Sequence, residues 1–326
     1  MQDLFTLVRG CVCRTFLQVG AVLALCLTGA LVGLAEELVL NEIAHDVFAV
    51  LAPAGHPGEA NAGFIVMDDA VLVVDTHMVP EAGRELIAKI REITPLPVRY
   101  VVNTHWHPDH THGNASYMAA FGPQTTFISH TTTRADIANL GSELLARNRV
   151  KNAALADVEL VLPNLTFSGE LDLYMANRRI QLLFFGRGHT RGDIVVYLRD
   201  DRVAFVGDLV TGGPPFARDG YPFAWISTLE TLLQFDIETI VAGHGNIWRS
   251  RQVLVDRIRF LQHATDVIRH GYSSGQGLDE IVAAIDLDAY RDTFEPEPGS
   301  APWGSWMHML VERGLLELKT AQAKEQ

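Results

Sequence analysis

Cysteine occurs at three positions only, Cys11, Cys13 and Cys26, all within the first 35 residues. From residue 36 onward there is none, which removes disulfides and thiolate metal ligands from the body of the chain. Basic residues are also scarce. Lys and Arg number 26 against 39 Asp and Glu, a formal charge of −13. Phosphate binding is dominated by Lys and Arg, so a nucleic-acid partner is disfavoured and the acidic surface reads as solubility. No long Ser/Gly linker divides the chain, and no internal repeat is visible. The longest apolar run is N-terminal, Phe16 to Ala35, broken by the polar residues Gln18 and Thr28 and preceded by Arg9 and Arg14. With Gly33 and Ala35 at its end, residues 1–35 read as a secretory signal peptide cleaved before Glu36. Left uncleaved, the segment would be a membrane anchor. Periplasmic or secreted localisation is therefore expected, with membrane contact through this segment alone. A composition of 48% hydrophobic and 20% charged residues is ordinary for a globular protein.

What the chain does have is Asn103-Thr104-His105-Trp106-His107-Pro108-Asp109-His110. Three imidazoles and a carboxylate fall within six residues, directly after the apolar, β-branched run Val98–Val102. Strand alternation would send His105 and His107 to one side and Trp106 to the other, as a buried spacer. Pro108 would then end the strand, and Asp109 and His110 would serve a second point nearby. Neutral imidazole with carboxylate is a donor set suited to zinc and related first-row metals.

Three further donors stand at ends of strand-like runs. His189 lies in the Gly-punctuated loop Phe185–Asp193. Asp208 follows Val203–Gly207, and His244 follows Thr239–Gly243. A glycine beside each lets the backbone approach closely.

Residues 40 to 250 resemble the metallo-β-lactamase superfamily, through HWHPDH, the GHT histidine, the GD aspartate and the GHG histidine. The resemblance implies a two-metal site, two Zn²⁺, with iron or manganese able to use similar donors. His105, His107 and His189 would hold the first metal. Asp109, His110 and His244 would hold the second, with Asp109 and His110 also assigned to catalysis. Asp208 would bridge both, and Asp75 would stand behind the metal loop. Five His and two Asp are too many donors for one tetrahedral zinc and suit two metals with open positions. One zinc β-lactamase branch uses a Cys on the second metal, and another has the Asp-His pair without a bridging aspartate. The Asp208-bridged set is more similar to that of glyoxalase II and lactonases.

The elements alternate in a way that suits an α/β fold, an αββα sandwich over residues 36–250. Leu38–Leu51 and Ala62–Val74 read as strands, Glu81–Glu92 as an amphipathic helix, and Thr228–Gln234 as a helix before the GHG strand. Residues 251–326 read as a C-terminal helical cap, with Trp303 and Trp306 in its core and a Pro-rich break at 295–302. Dimerisation is another use for it, and the sequence leaves the oligomeric state open.

Thr190 and Asp193 are candidates to support the ring of His189. The Gly/Pro/aromatic segment 211–225 places Phe216, Tyr221, Phe223 and Trp225 as candidate walls of a substrate pocket. His77 and His112 read as local structural histidines, and Arg187 and Arg191 as surface or carboxylate-binding groups. The expected activity is an exported metal-dependent hydrolase acting on a small molecule. A zinc-bridging hydroxide would attack an ester, lactone, thioester or amide carbonyl, β-lactams included. Two other classes stay open: an iron-dependent redox member such as a sulfur dioxygenase, and a non-catalytic periplasmic binding protein.

Overall fold

The computed structural model describes residues 36–175, 178–294 and 303–325. The expected signal segment, a turn at Ala176-Asn177 and the Pro-rich break lie outside them. A seven-stranded sheet runs in the order β1 (Val39–Ala44), β2 (Val47–Leu51), β3 (Ala62–Val66), β4 (Val71–Val74), β5 (Val98–Val102), β6 (Thr126–His130) and β7 (Leu165–Phe167). The first four strands form an antiparallel meander, and β4 to β7 are parallel. The six-stranded second sheet holds β8 (Glu170–Met175), β9 (Arg178–Leu183), β10 (Val195–Leu198), β11 (Val203–Gly207), β12 (Thr239–Ala242) and β13 (Ile247–Trp248), also in chain order. In it β11 and β12 are parallel.

Each expected N-terminal strand is instead a hairpin. The polar pairs His45-Asp46 and Asp68-Asp69 interrupt the apolar runs, and Asp46 takes the left-handed conformation (φ 59°) that Asp tolerates in turns.

Helices cover both sheets. On one face lie α1 (Pro80–Ile93), the short α2 (Pro108–Thr111) and α3 (Asn114–Phe121). Next come α4 (Thr131–Asp136), a π-helical turn at Ile137–Gly141 and α5 (Ser142–Arg149). On the other face are α6 (Pro222–Leu232), α7 (Gln252–Ser273), α8 (Leu278–Ala284) and α9 (Trp303–Glu325).

Strand β4 shows why the layers stack. All four of its residues are buried, and alternation divides them between two cores. Leu72 and Val74 join Val102, Leu182 and Phe205 between the sheets, while Val71 and Val73 join Leu86, Ile90 and Tyr117 beneath α1 and α3. The third core lies under α6 to α9, where Trp225, Phe260, Ile281 and Leu310 pack on Val195, Ala204 and Val206. Each such large side chain contributes roughly 1.5–3 kcal/mol by burial. This is the αββα sandwich with C-terminal helices. Among the described residues no helix is long and apolar enough to cross a membrane. Because β4 and β5 run parallel in one sheet, and β11 and β12 in the other, their C-terminal ends deliver Asp75, the 103–110 loop, Asp208 and His244.

Candidate metal centre

Strand β5 ends at Val102, so His105, Trp106 and His107 lie on a loop rather than on an extended strand. Pro108 begins a helix at its first position, where a missing N–H costs nothing. Convergence of His105 and His107 therefore comes from the loop, which is pinned on both sides. Asn103 Nδ2 and Thr76 Oγ1 each donate to the carbonyl of His110 at 3.1 Å. The Ile194 N–H donates to the Thr104 carbonyl, tying the loop to the second sheet. Trp106 is 8% exposed and meets the ring of His107 edge-on, as a packed spacer.

Two donor groups result, His105, His107, His189 and Asp208 in one, and Asp109, His110 and His244 in the other. Within each, the donor atoms lie within 4.8 Å of one another. Asp208 stands between the groups. Its Oδ2 is 3.3 Å from His189 Nε2, and its Oδ1 is 3.3 Å from His110 Nε2. Donors around a tetrahedral zinc at 2.0–2.1 Å are separated by about 3.3 Å. The close approach depends on glycine: a Cβ on Gly243 would sit 1.9 Å from Asp208 Oδ1, and one on Gly207 (φ 50°) would sit 2.5 Å from Thr104 Oγ1.

The outward nitrogen of each buried imidazole is spoken for. His110 Nδ1 donates to Asp75 Oδ2 at 2.8 Å. His105 Nδ1 reaches Thr104 Oγ1 at 3.1 Å, and that hydroxyl donates to Asp75 at 2.7 Å. His189 Nδ1 donates to the Phe216 carbonyl at 2.8 Å, and His107 Nε2 meets Asp219 Oδ2 at 3.0 Å. These partners set the tautomers and leave lone pairs pointing inward. His189 Nε2 and His107 Nδ1 then face each other at 2.8 Å, an arrangement that repels unless a cation lies between. The Nε2 atoms of His105 and His110 and Oδ1 of Asp208 are buried without hydrogen-bond partners. The donor set thus fits divalent cations. Charge coupling acts differently on the two neighbouring rings. Burial works against the imidazolium of His110, yet Asp109, Asp75 and Asp208 outweigh it and hold its pKa well above the ordinary value. For His105, burial and the neighbouring imidazoles prevail and its pKa lies well below.

The metallo-beta-lactamase superfamily model matches residues 55–244, more than half of the chain. The chain belongs to the metallo-beta-lactamase superfamily. It is 24% identical over 270 residues to a linear primary-alkylsulfatase of Pseudomonas sp., covering 70% of this chain and 50% of that one. Among solved structures, a stereoselective inverting sec-alkylsulfatase from Pseudomonas sp. superposes with a TM-score of 0.68 at 15% identity. That match covers 85% of this chain and 50% of the other. A metallo-beta-lactamase from Pontibacter korlensis gives a TM-score of 0.58 at 20% identity, over 69% of this chain and 99% of the other. The chain thus spans half the length of the alkylsulfatases it is similar to.

In this superfamily member the donors open onto a cavity of about 600 Å³, bordered by Asp109, Asp208 and His244. His105, His110 and His189 are fully buried, whereas the side chains of His244 and Asp109 keep 22% and 18% exposure. Of the four aromatic residues expected as walls, Phe216 lines the cavity and the other three do not. Pro222 takes the first position of α6, so the helix begins six residues before Thr228 and turns the aromatics away. Trp225 is 1% exposed and donates from Nε1 to the Leu209 carbonyl. Tyr221 is held between the guanidinium groups of Arg187 and Arg313. Phe223 lies under Arg269.

Asp193 does not touch the ring of His189. It accepts hydrogen bonds from the N–H and hydroxyl of Thr190, bracing the loop rather than the imidazole. His77 serves its own neighbourhood: its Nδ1 donates to the Ala60 carbonyl at 2.8 Å, and burial lowers its pKa to about 4. Arg191 pairs with Asp136. Two contributors carry no motif. Asp219 is a lone acid in a loop. Arg257, on α7, is 2% exposed and donates to the carbonyls of Gly213 (2.5 Å) and Thr211 on the cavity rim.

Proposed function

We propose that this protein is an exported two-zinc hydrolase of an ester-type bond in a small molecule. The reading rests on one observation: seven donors in two groups with Asp208 between them, opening onto a single cavity. Imidazole with carboxylate is an ordinary zinc donor set, and zinc is the metal of this proposal. Two such cations would make a hydroxide available near neutral pH and polarise the oxygen of the scissile group. No serine or cysteine nucleophile is then required. The protein's own part is to fix the donors. Asp208 sets the spacing of the two groups. Asp75, Asp219 and the Phe216 carbonyl hold the tautomers, while Asp109 and His244 present the second group to the cavity.

A carboxylic ester, lactone, thioester or amide is the first reading of the bond. A sulfate ester is the second, supported by the likeness to alkylsulfatases, whose fold accounts for 85% of this chain against 69% for the β-lactamase. Export is supported by Arg9 and Arg14 ahead of the apolar run 16–35. The test is turnover by the full chain of matched carboxylic esters, lactones, thioesters, β-lactams and alkyl sulfates. Each is assayed before chelation, after it, and after zinc is returned. Activity that is lost and restored supports the proposal. No turnover of any substrate by the metal-loaded chain, or turnover indifferent to chelation, contradicts it.

A further inference from the structure

We infer that the wall of the cavity formed by α5 is an anion-binding subsite. There Arg147 and Lys151 seat a carboxylate or sulfonate that the substrate carries away from the bond being cut. The inference rests on the reading of this cavity as the hydrolytic site, and it names the substrate class: an amphiphilic anion.

Leu144, Arg147, Asn148 and Lys151 all line the cavity. Their spacing of i, i+3, i+4 and i+7 follows one helical stripe, carried two residues past the helix end at Arg149 by a turn in which the Lys151 N–H donates to the Asn148 carbonyl. Leu145, on the other side, is buried with Leu155 and Val158. Arg149 reaches back to the carbonyls of Leu155 and Val158, so its guanidinium is structural. Arg147 and Lys151 differ from it. Neither side chain has a hydrogen-bond or ion-pair partner among the described residues, and both belong to the cavity lining. Two like charges this close along the chain repel each other. The acidic residue nearest along the helix is Glu143, four residues before Arg147 on α5, and no ion pair joins the two among the described residues.

The carboxylates of the cavity do not answer them. Asp109 lies 3.0 Å from His244 Nε2, and Asp208 lies 3.3 Å from His110 Nε2. Glu59 is engaged in an interaction of its own. The other cation of the lining, Arg218, sits over the ring of Phe216 and beside Asp219. Both cations line the same cavity, placed to grip one oxyanion group between them. Met78, Leu144, Phe216 and Trp306 supply the apolar remainder of the cavity. At about 600 Å³ it has the size of an ordinary small-molecule site.

The test uses the full, metal-loaded chain and the fluorescent probe dansylamino-undecanoate beside its uncharged primary amide. The wild type should bind the acid about 10-fold or more tightly than the amide, the worth of a charge-assisted bidentate contact. In Arg147→Gln/Lys151→Gln that preference should collapse while amide affinity is kept, and Arg147→Glu/Lys151→Glu should invert it. A preference that survives the Gln variant means that the metals or another group read the charge, and overturns the inference. So does an equal loss of acid and amide binding, which marks the residues as supports of the helix end. Should the double variant not fold, Lys151→Gln alone, past the helix end, decides by the same ratio.

A second arm compares kcat/KM for mono-p-nitrophenyl glutarate and p-nitrophenyl butanoate. The charged ester should lose its advantage in the Gln variant, chiefly through KM. If neither ester is cut but the probe ratio behaves as expected, the hydrolase reading fails and the subsite stands. If both are cut and the Gln variant treats them as the wild type does, the subsite fails and the hydrolase reading stands.

Discussion

Asp75→Asn should weaken the metal centre without disturbing the backbone. Asp75 is 2% exposed and accepts three hydrogen bonds, from Thr104 N–H at 2.8 Å, Thr104 Oγ1 at 2.7 Å and His110 Nδ1 at 2.8 Å. Its φ of 58° is a conformation that Asn adopts readily. The amide has one acceptor oxygen in place of two. Turned one way, its NH₂ confronts the Thr104 N–H. Turned the other, it confronts Nδ1 of His110 and the hydroxyl of Thr104. In the second case the His110 proton must move to Nε2, the nitrogen aimed at Asp208, and the donor is lost. The Thr104 relay to His105 is broken as well. Loss of such a supporting group typically weakens metal binding roughly 10–100-fold, or about 1.4–2.8 kcal/mol. A donor left buried without a partner costs roughly 1–3 kcal/mol of stability in addition. Metal content after dialysis against graded chelator, measured beside thermal unfolding, reads both quantities. The cation held by Asp109, His110 and His244 should leave first. A variant that keeps both cations at wild-type chelator concentrations would refute the role given to Asp75.

Three other changes test separate parts of the structure. Asp208→Ala removes the carboxylate between the two groups, so the second cation should be lost and kcat should fall about 10²-fold; near-normal metal content and turnover would show that it bridges nothing. Arg257→Met leaves the Thr211 and Gly213 carbonyls without their buried donor and should cost about 2 kcal/mol in denaturant unfolding, lowering kcat/KM through the displaced rim with both metals retained. Asp193 is buried, and desolvation raises its pKa from 3.8 to about 6. The native state therefore binds more protons than the unfolded one between those values, and stability falls as pH rises through that window, by roughly 3 kcal/mol. Asp193→Asn should abolish that component, and parallel stability curves for the two proteins between pH 4 and 6 would contradict it.

The candidate donors were legible because they stand at or soon after the ends of strand-like runs. His105 to His110, Asp208 and His244 each follow a β-branched run with a nearby turn former, and His189 follows the apolar run Leu182–Phe185 and two glycines, a pattern readable along the chain. Asp75 shares that signature. Placing His105 and His107 on a strand was natural but incorrect, since a His-X-His alternation looks the same on a strand and on a loop until Pro108 starts a helix. The aromatic segment failed for a related reason. Gly and Pro composition suggests a loop, whereas Pro222 can also open a helix, and α6 then carries Trp225 into the core. Asp219 and Arg257 could not be read locally. One is a single acid in an irregular loop, and the other reaches back 46 residues to the Thr211 carbonyl. Only the packing of α7 on the second sheet reveals it. The walls of the cavity come from α2, α5, α9 and several loops far apart in the chain, and that union is a product of tertiary structure.

Metal stoichiometry of the protein, counted per chain by elemental analysis while hydrolysis is followed during stepwise chelation, bears most directly on the account. Two zinc equivalents are predicted, the first lost with removal of the Asp109–His110–His244 cation and activity falling in step. A single tightly bound iron with a visible absorption band, or hydrolysis that persists in the metal-free chain, would contradict it.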